Sequence, residues 1–298
     1  VIVGAEYDCN FLASTERQLI DPVWINSAIG AHYKLNIFPT GVRVAALDPA
    51  DQGVDRNAFI GRHGILVAHA ESWSGVGSSI FNTVVRTMGL CDQHGYARFM
   101  FDVVGLGAGI SGDAEEINRQ RTAAGRPQIT AESYAGSAAP PDGSLIRDRE
   151  NADAFVNLKS ASWWSLAERF RLTHRVITEG LKNYDIDGLI AIDPALPELN
   201  RLFSELSQVS WMHSATGRLL IEKTPDGARS PNSADALCIA FSPDSTAEQV
   251  RIWELYGDDR SPQQRLRAEH TAEQRLAFEA AARAYRERQG TALEVKRT

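Results

Sequence analysis

The order of apolar runs predicts an α/β fold in which a mixed β-sheet is flanked by helices and followed by a C-terminal helical tail. Three observations carry that expectation. Three strand-length runs stand next to one another early in the chain, two of them joined by His63-Gly64, a tight hairpin turn. Later runs alternate strand and helix. No stretch approaches the ~18 consecutive apolar residues of a membrane span. Hairpins followed by alternation require strands of both directions with helices on both faces.

The elements follow in order. Asp21-Pro22 predicts a helix start, and Trp24, Ile25, Ala28 and Ile29 carry it to about His32. Strands are expected over Val42–Leu47, Asn57–Arg62 and Ile65–Ala70. Apolar residues at 80, 84, 88 and 91 give the next segment a helical period. Ala97–Val104 reads as a strand, a glycine-rich loop (Gly105, Gly107, Gly109, Gly112) leads to a helix over about Asp113–Ala124, and Gln128–Glu132 is a further strand. Residues 135–150 are rich in Pro, Gly and charge, hence a loop. Trp163, Leu166, Ala167, Phe170, His174 and Ile177 share one face of a helix over Ser162–Ile177. Two short strands, Trp211–Ala215 and Leu219–Lys223, precede a helix capped by Ser230-Pro231. From Pro262 to Gln289 the chain is rich in Arg, Glu, Gln and Ala, which suits a solvated helix or a mobile tail. The expected division is a lead-in over 1–36, the α/β domain over 37–242 and a charged tail over 243–298.

Composition removes several function classes. Three scattered cysteines (Cys9, Cys91, Cys238) form no disulfide framework and show no zinc-ligand spacing. The formal charge of -7 argues at first against nucleic acid, yet residues 244–298 hold ten acids and ten bases, and 26 of the 31 basic residues are Arg. Arginine is the cation suited to forked phosphate contacts, so net charge alone leaves the partner open.

Three acids stand out. Asp48 ends the first strand, Asp102 lies near the end of the fourth, and Asp235 is one turn into the last predicted helix of the α/β domain, each among apolar neighbours. A carboxylate in such surroundings costs several kcal/mol unless paired or bound to a cation. One such acid is ordinarily a satisfied core or capping residue; three, with no adjacent Lys or Arg, point to a shared cation. Hard oxygen ligands without His or Cys suit Mg²⁺ or Mn²⁺. Two such ions could activate water and neutralise the departing oxygen of a phosphodiester. Asp55, on the turn after Asp48, could reach an ion through water, although a turn acid is more often simply solvated.

These residues also carry a family resemblance. VRVAALDPADQGVDRNAF resembles the opening nuclease strand of the large terminase subunits of tailed bacteriophages. FMFDVVGLGAG is similar to their second nuclease motif and EKTPDGARSPNSADALCIAF to the third, in the same order and spacing; AEYDCNFLAS and the Trp24 helix look like the connector after their ATPase domain. The resemblance covers about residues 5–242. It implies an RNase H-like nuclease domain that cleaves concatemeric double-stranded viral DNA in the infected host cytoplasm during genome packaging. It places Asp48, Asp102 and Asp235 at the catalytic and metal-binding positions, with the portal and the small terminase subunit as partners. Nothing matches GxxxxGK[ST], and with a Val start this leads to the expectation that the ATPase portion lies outside this chain.

Two rival readings accompany it. Gly107-Ala-Gly109-Ile-Ser-Gly112 fits GxGxxG, with Glu132 twenty residues on, the fingerprint of an NAD-dependent oxidoreductase. Against it, Asp102 interrupts the strand just before the glycines, where a charge has no cofactor role. A non-catalytic docking module acting through Pro262–Gln289 is the other. Lys223 and Arg229, beside the third motif, and Arg119, Arg121, Arg126, Arg147 and Arg149, around the loop, are the candidate DNA contacts, weighed against a plain solvated surface. Trp163-Trp164 and His174 are expected in the core.

Overall fold

The computed structural model describes residues 17–50, 55–103, 107–243 and 271–295. Most of the lead-in, Asp51, Val104, Gly105 and residues 262–270 of the tail lie outside them. A six-stranded mixed sheet is built from β1 (Arg43–Asp48), β2 (Arg56–His63), β3 (Leu66–Ser74), β4 (Arg98–Asp102), β5 (Thr130–Tyr134) and β6 (Ala191–Ile192), in the order β5-β4-β1-β2-β3-β6. β1, β2 and β3 form an antiparallel meander, while β4 pairs parallel with both β1 and β5, and β6 parallel with β3. A separate hairpin joins β7 (Ser210–His213) and β8 (Leu219–Glu222).

The helices are α1 (Pro22–Ala28), α2 (Ala31–Lys34), α3 (Ile80–His94), α4 (Gly107–Ala123), α5 (Asn151–Ala154), α6 (Leu158–Thr178), α7 (Leu199–Gln208), α8 (Asn232–Ala240) and α9 (Ala272–Val295). Strand alternation divides the sheet's two faces. Val44, Ala46, Ile60 and Met100 face a core shared with α1, α6, α7 and α8. Ala45, Leu47, Phe59, Phe99 and Phe101 face α3 and α4. Both faces are covered, which is why β1 and β4 read as nearly continuous apolar runs. Trp163 is in the core as expected, and half-buried His174 is satisfied by Ser27, 2.8 Å away.

Several expectations are corrected. The first helix breaks at Gly30, whose φ of +68° suits glycine; there the chain leaves helical geometry and bonds to Ile192 of β6. α4 starts at Gly107 instead of Asp113, and a Cβ on residue 107 would sit 2.4 Å from the Asp102 carbonyl oxygen. The glycine there permits a close backbone pass. The antiparallel meander is not the parallel doubly wound order of a dinucleotide-binding fold, so that reading of GxGxxG loses its frame. β6 and α7 were not expected. Yet α7 has legible apolar spacing, with Leu202 and Leu206 buried. α9 is largely solvated, as its composition implies, but Ala282 and Tyr285 are buried and Phe278 contacts the rings of Tyr33 and Phe38.

α8 is clamped at both ends by charges from elsewhere. Its N-terminal N–H groups at Ser233 and Ala234 donate to Glu205 Oε2 at 2.7 and 3.0 Å. At its other end the buried Arg62 donates from Nε to the Ala240 carbonyl at 2.6 Å and lies over the Phe241 ring. An acid at the helix N-terminus and a cation at its C-terminus complement the helix dipole. Ser230-Pro231 supplies no side-chain cap. Replacing Glu205 with Ala strands two buried donors and is expected to cost about 1–3 kcal/mol, read by urea unfolding with the native far-UV spectrum retained.

Candidate active site

The parallel register sets Leu47 opposite Phe101, so Asp48 and Asp102 leave adjacent strand ends together. Both continue the parity of Val44, Ala46 and Met100 and therefore face α8. α8 lies across β2, β1 and β4 and brings Asp235, 3 % exposed, to the same place. The three acids predicted from sequence thus converge at one sheet edge. Asp55 is exposed on the loop leading into β2.

Two lysines share this cluster. Lys223, just past β8, donates from Nζ to Asp235 Oδ2. Lys159, in the first turn of α6, lies 3.9 Å from Asp235 Oδ1. Lys159 was missed by sequence reasoning, and no local signal marks it, since it is 76 residues from its partner. Burial and the Asp235 charge push the Asp48 carboxyl well above the ordinary range, with Asp102 adding to the effect and the two lysines opposing it. Burial alone would lower the Lys223 ammonium; Asp235 outweighs that and raises it. Tyr134, next to this cluster on β5, donates to Ser162 Oγ at 3.1 Å.

The donor set fits a hard divalent cation: three carboxylates, one of them destabilised as an anion, with lysines supplying the positive charge. As the side chains stand, no three metal-ligating groups among the described residues surround a common point. Asp235 is engaged by the lysines, so an ion would have to displace Lys223 from Oδ2.

No family model matches the chain, and no curated protein matches it. Solved structures do. The nuclease domain of the large terminase subunit gp2 of bacterial virus Sf6 is similar at 30 % identity and a TM-score of 0.65, covering 75 % of this chain and 97 % of that one. A lysine-to-alanine variant of the same domain, with manganese and β-thujaplicinol, matches at 31 % identity, a TM-score of 0.65 and the same coverage. A variant with calcium matches at 31 % and 0.65 and is covered to 98 %. The chain belongs to the nuclease domains of phage large terminase subunits. Its sheet and flanking helices are the RNase H-like fold of that family.

The terminase nuclease domain distributes its predicted DNA-contacting cations unevenly. Arg229 is exposed near the third motif. Arg147 is 95 % exposed, with Asp148 as its neighbour. Arg149 donates to the carbonyls of Asp153 and Gly217, tying the loop to the β7–β8 turn. Arg119 pairs with Glu116 on the same helix. Arg121 is 5 % exposed, forked onto Asp92 and bonded to the Pro127 carbonyl, and Arg126 joins the same carboxylate. These two fasten α4 to α3. Arg119 and Arg121 also stand roughly 18–21 Å along α4 from its start beside Asp102, at ~1.5 Å per residue. That end of α4 is a structural junction.

A folded state that raises an acid's pKa holds the proton more tightly than the unfolded chain does. Its stability contribution therefore falls as pH climbs from the unfolded value, ~3.9, through the folded one, and stays a cost above it. Asp48→Asn is accordingly expected to raise Tm in EDTA at neutral pH and to diminish the gain that Mn²⁺ produces. Lys223→Ala leaves a buried carboxylate without its main partner and is expected to lower Tm in EDTA by an amount corresponding to about 3–5 kcal/mol. The same variant should show a larger Mn²⁺-induced rise than wild type, because the ion no longer competes with an ammonium. Scanning calorimetry across a Mn²⁺ series reads both.

Proposed function

We propose that this domain is a divalent-metal-dependent endonuclease that cuts concatemeric double-stranded viral DNA during genome packaging, in the host cytoplasm. The observation that carries the reading is the convergence of Asp48, Asp102 and Asp235 at one sheet edge beside two lysines. Mg²⁺ or Mn²⁺, as two ions, would be held by these carboxylates, with Asp48 between the other two and Asp55 reaching in through water. The ions, when bound, supply an activated water and neutralise charge on the leaving oxygen. The neighbouring structures crystallised with manganese and with calcium support a divalent cation as the partner of this site.

The chain's own residues have distinct tasks. The strand ends of β1 and β4 fix Asp48 and Asp102 in register, and the clamped α8 fixes Asp235. Lys223 and Lys159 neutralise the carboxylates before an ion arrives, and afterwards their ammonium groups are available to a scissile phosphate. Arg229, Arg147 and Arg149 are the remaining candidates for backbone phosphate contacts. Arg119, Arg121 and Arg126 are left out, because their charges are engaged by carboxylates at the far end of α4. Phosphate-directed binding implies weak sequence preference and strong salt dependence. The portal and the small terminase subunit are the proposed packaging partners.

The test is supercoiled plasmid incubated with EDTA, Mg²⁺, Mn²⁺ or Ca²⁺, wild type beside Asp102→Asn. Nicking and linearisation are expected with Mg²⁺ or Mn²⁺ and not with EDTA, and the variant should lose activity by a factor on the order of 10² or more, as when a group that holds transition-state charge is removed. Undiminished cutting by Asp102→Asn, or in EDTA, removes the proposal.

A further inference from the structure

We propose that Gln208, the last residue of α7, is a positioning residue that holds the Lys223 ammonium against Asp235. Its bearing on catalysis rests on the nuclease reading above; its effect on Lys223 does not.

The two partners of the Lys223–Asp235 pair come from different segments. Asp235 belongs to α8, whereas Lys223 follows the last residue of β8, where the ladder with β7 has ended at Ser210 opposite Glu222. Past that point strand pairing no longer fixes the chain, and the Gln208 side chain takes over. Its Nε2 donates to the Lys223 carbonyl at 2.9 Å and to the Arg229 carbonyl at 2.7 Å. An amide nitrogen has two N–H donors, and both are used here. The ends of loop 223–229, which contains the short turn Pro225–Gly227, therefore meet at one nitrogen. A lysine carries its charge on a flexible four-carbon stem, so the reach of the Lys223 ammonium is set by where its backbone is anchored.

That anchor is on the helix that also holds the other partner. Glu205 and Gln208 are three residues apart and share a face of α7, which packs on α8. Glu205 accepts from the first N–H groups of α8, and Arg201, one turn earlier, donates from Nε to Glu205 Oε1 at 2.8 Å. One stripe of α7 thus sets both charges: Glu205 acts on the helix of Asp235, and Gln208 on the root of Lys223. Arg229 also lies two residues before Pro231, the residue that precedes α8, so the staple fixes the entry to that helix as well. A side chain that merely closes a loop would have no selective effect on the Lys223 ammonium.

The experiment is brief treatment of the full chain with acetic anhydride in EDTA, with each lysine's acetylation read by peptide mass spectrometry. The Lys223 side chain is 26 % exposed, so reagent reaches it, and its bond to Asp235 slows the reaction. Gln208→Ala, and Gln208→Glu, which keeps the size of the side chain without the N–H donors, should each speed acetylation of Lys223 about tenfold, the scale of one hydrogen bond. Exposed Lys182 is the internal control and should not change. In an Asp235→Asn background the Gln208 substitutions should add nothing, since the bond they act on is already gone. In plasmid nicking with Mg²⁺, both variants should lower kcat about tenfold and leave KM within about twofold, as when an interaction made in the transition state is lost. A wild type that fails to nick removes the nuclease reading, and acetylation in EDTA then still decides the role of Gln208. The inference is overturned by unchanged Lys223 acetylation in both variants, by equal acceleration at Lys182, by an acceleration that persists in Asp235→Asn, or by an unchanged kcat where the wild type nicks.

Discussion

A short helix carrying a buried acid has to be held against a sheet that already bears two acids of its own. The clamp on α8 meets that demand. Glu205 accepts from its first N–H groups, and Arg62 donates to its last carbonyl. Without these contacts, terminal donors and an acceptor of this nine-residue helix would be buried without partners. Both clamping charges sit on the α8 side of the sheet, Arg62 by virtue of its parity on β2 and Glu205 on α7. The register shift between Gly61 and Arg62 leaves that parity intact where β2 and β3 change alignment. The position of Asp235, and through it the whole carboxylate cluster, depends on this clamp.

The cluster itself is a balance of opposed charges. Three carboxylates near one another in a packed environment repel, and the strain appears at Asp48, whose carboxyl is pushed up by burial and by the Asp235 charge. Lys223 and Lys159 relieve it through Asp235. A buried pair of this kind is poor as a source of stability, since desolvation consumes most of the attraction. The same surroundings raise the Tyr134 hydroxyl and the Cys238 thiol, in each case chiefly through burial, so neither is an ionised competitor near the site.

The far end of the sheet has the opposite character. There burial lowers the imidazoles of His32 and His69, which line a cavity together with Asp193, to about 4, and the Arg43 guanidinium is exposed. The carboxylate end is rich in opposed charges, whereas the opposite end brings histidines and aromatic rings together. Among the described residues, α9 meets the second of these through Phe278, and Tyr285 bonds to the Ile29 carbonyl nearby. Thus the two ends of β1 are different electrostatic environments on one strand.

By itself, the sequence determined the meander of β1, β2 and β3, the strands β4 and β5, the helices with strong apolar periodicity, and the three acids. The reason is local: side-chain parity and turn residues act over a few positions, and a charge among apolar neighbours is visible without coordinates. The apolar spacing of α7 is also present in the chain, whereas the two-residue β6 is made by its pairing with β3. Only tertiary structure decided that Lys159 joins Asp235, that Glu205 and Arg62 hold α8, and that Arg121 and Arg126 are taken up by Asp92. Electrostatic partners separated by 28 to 178 residues leave no periodic trace in a chain. They become partners when packing excludes water between them and raises the cost of leaving either one alone.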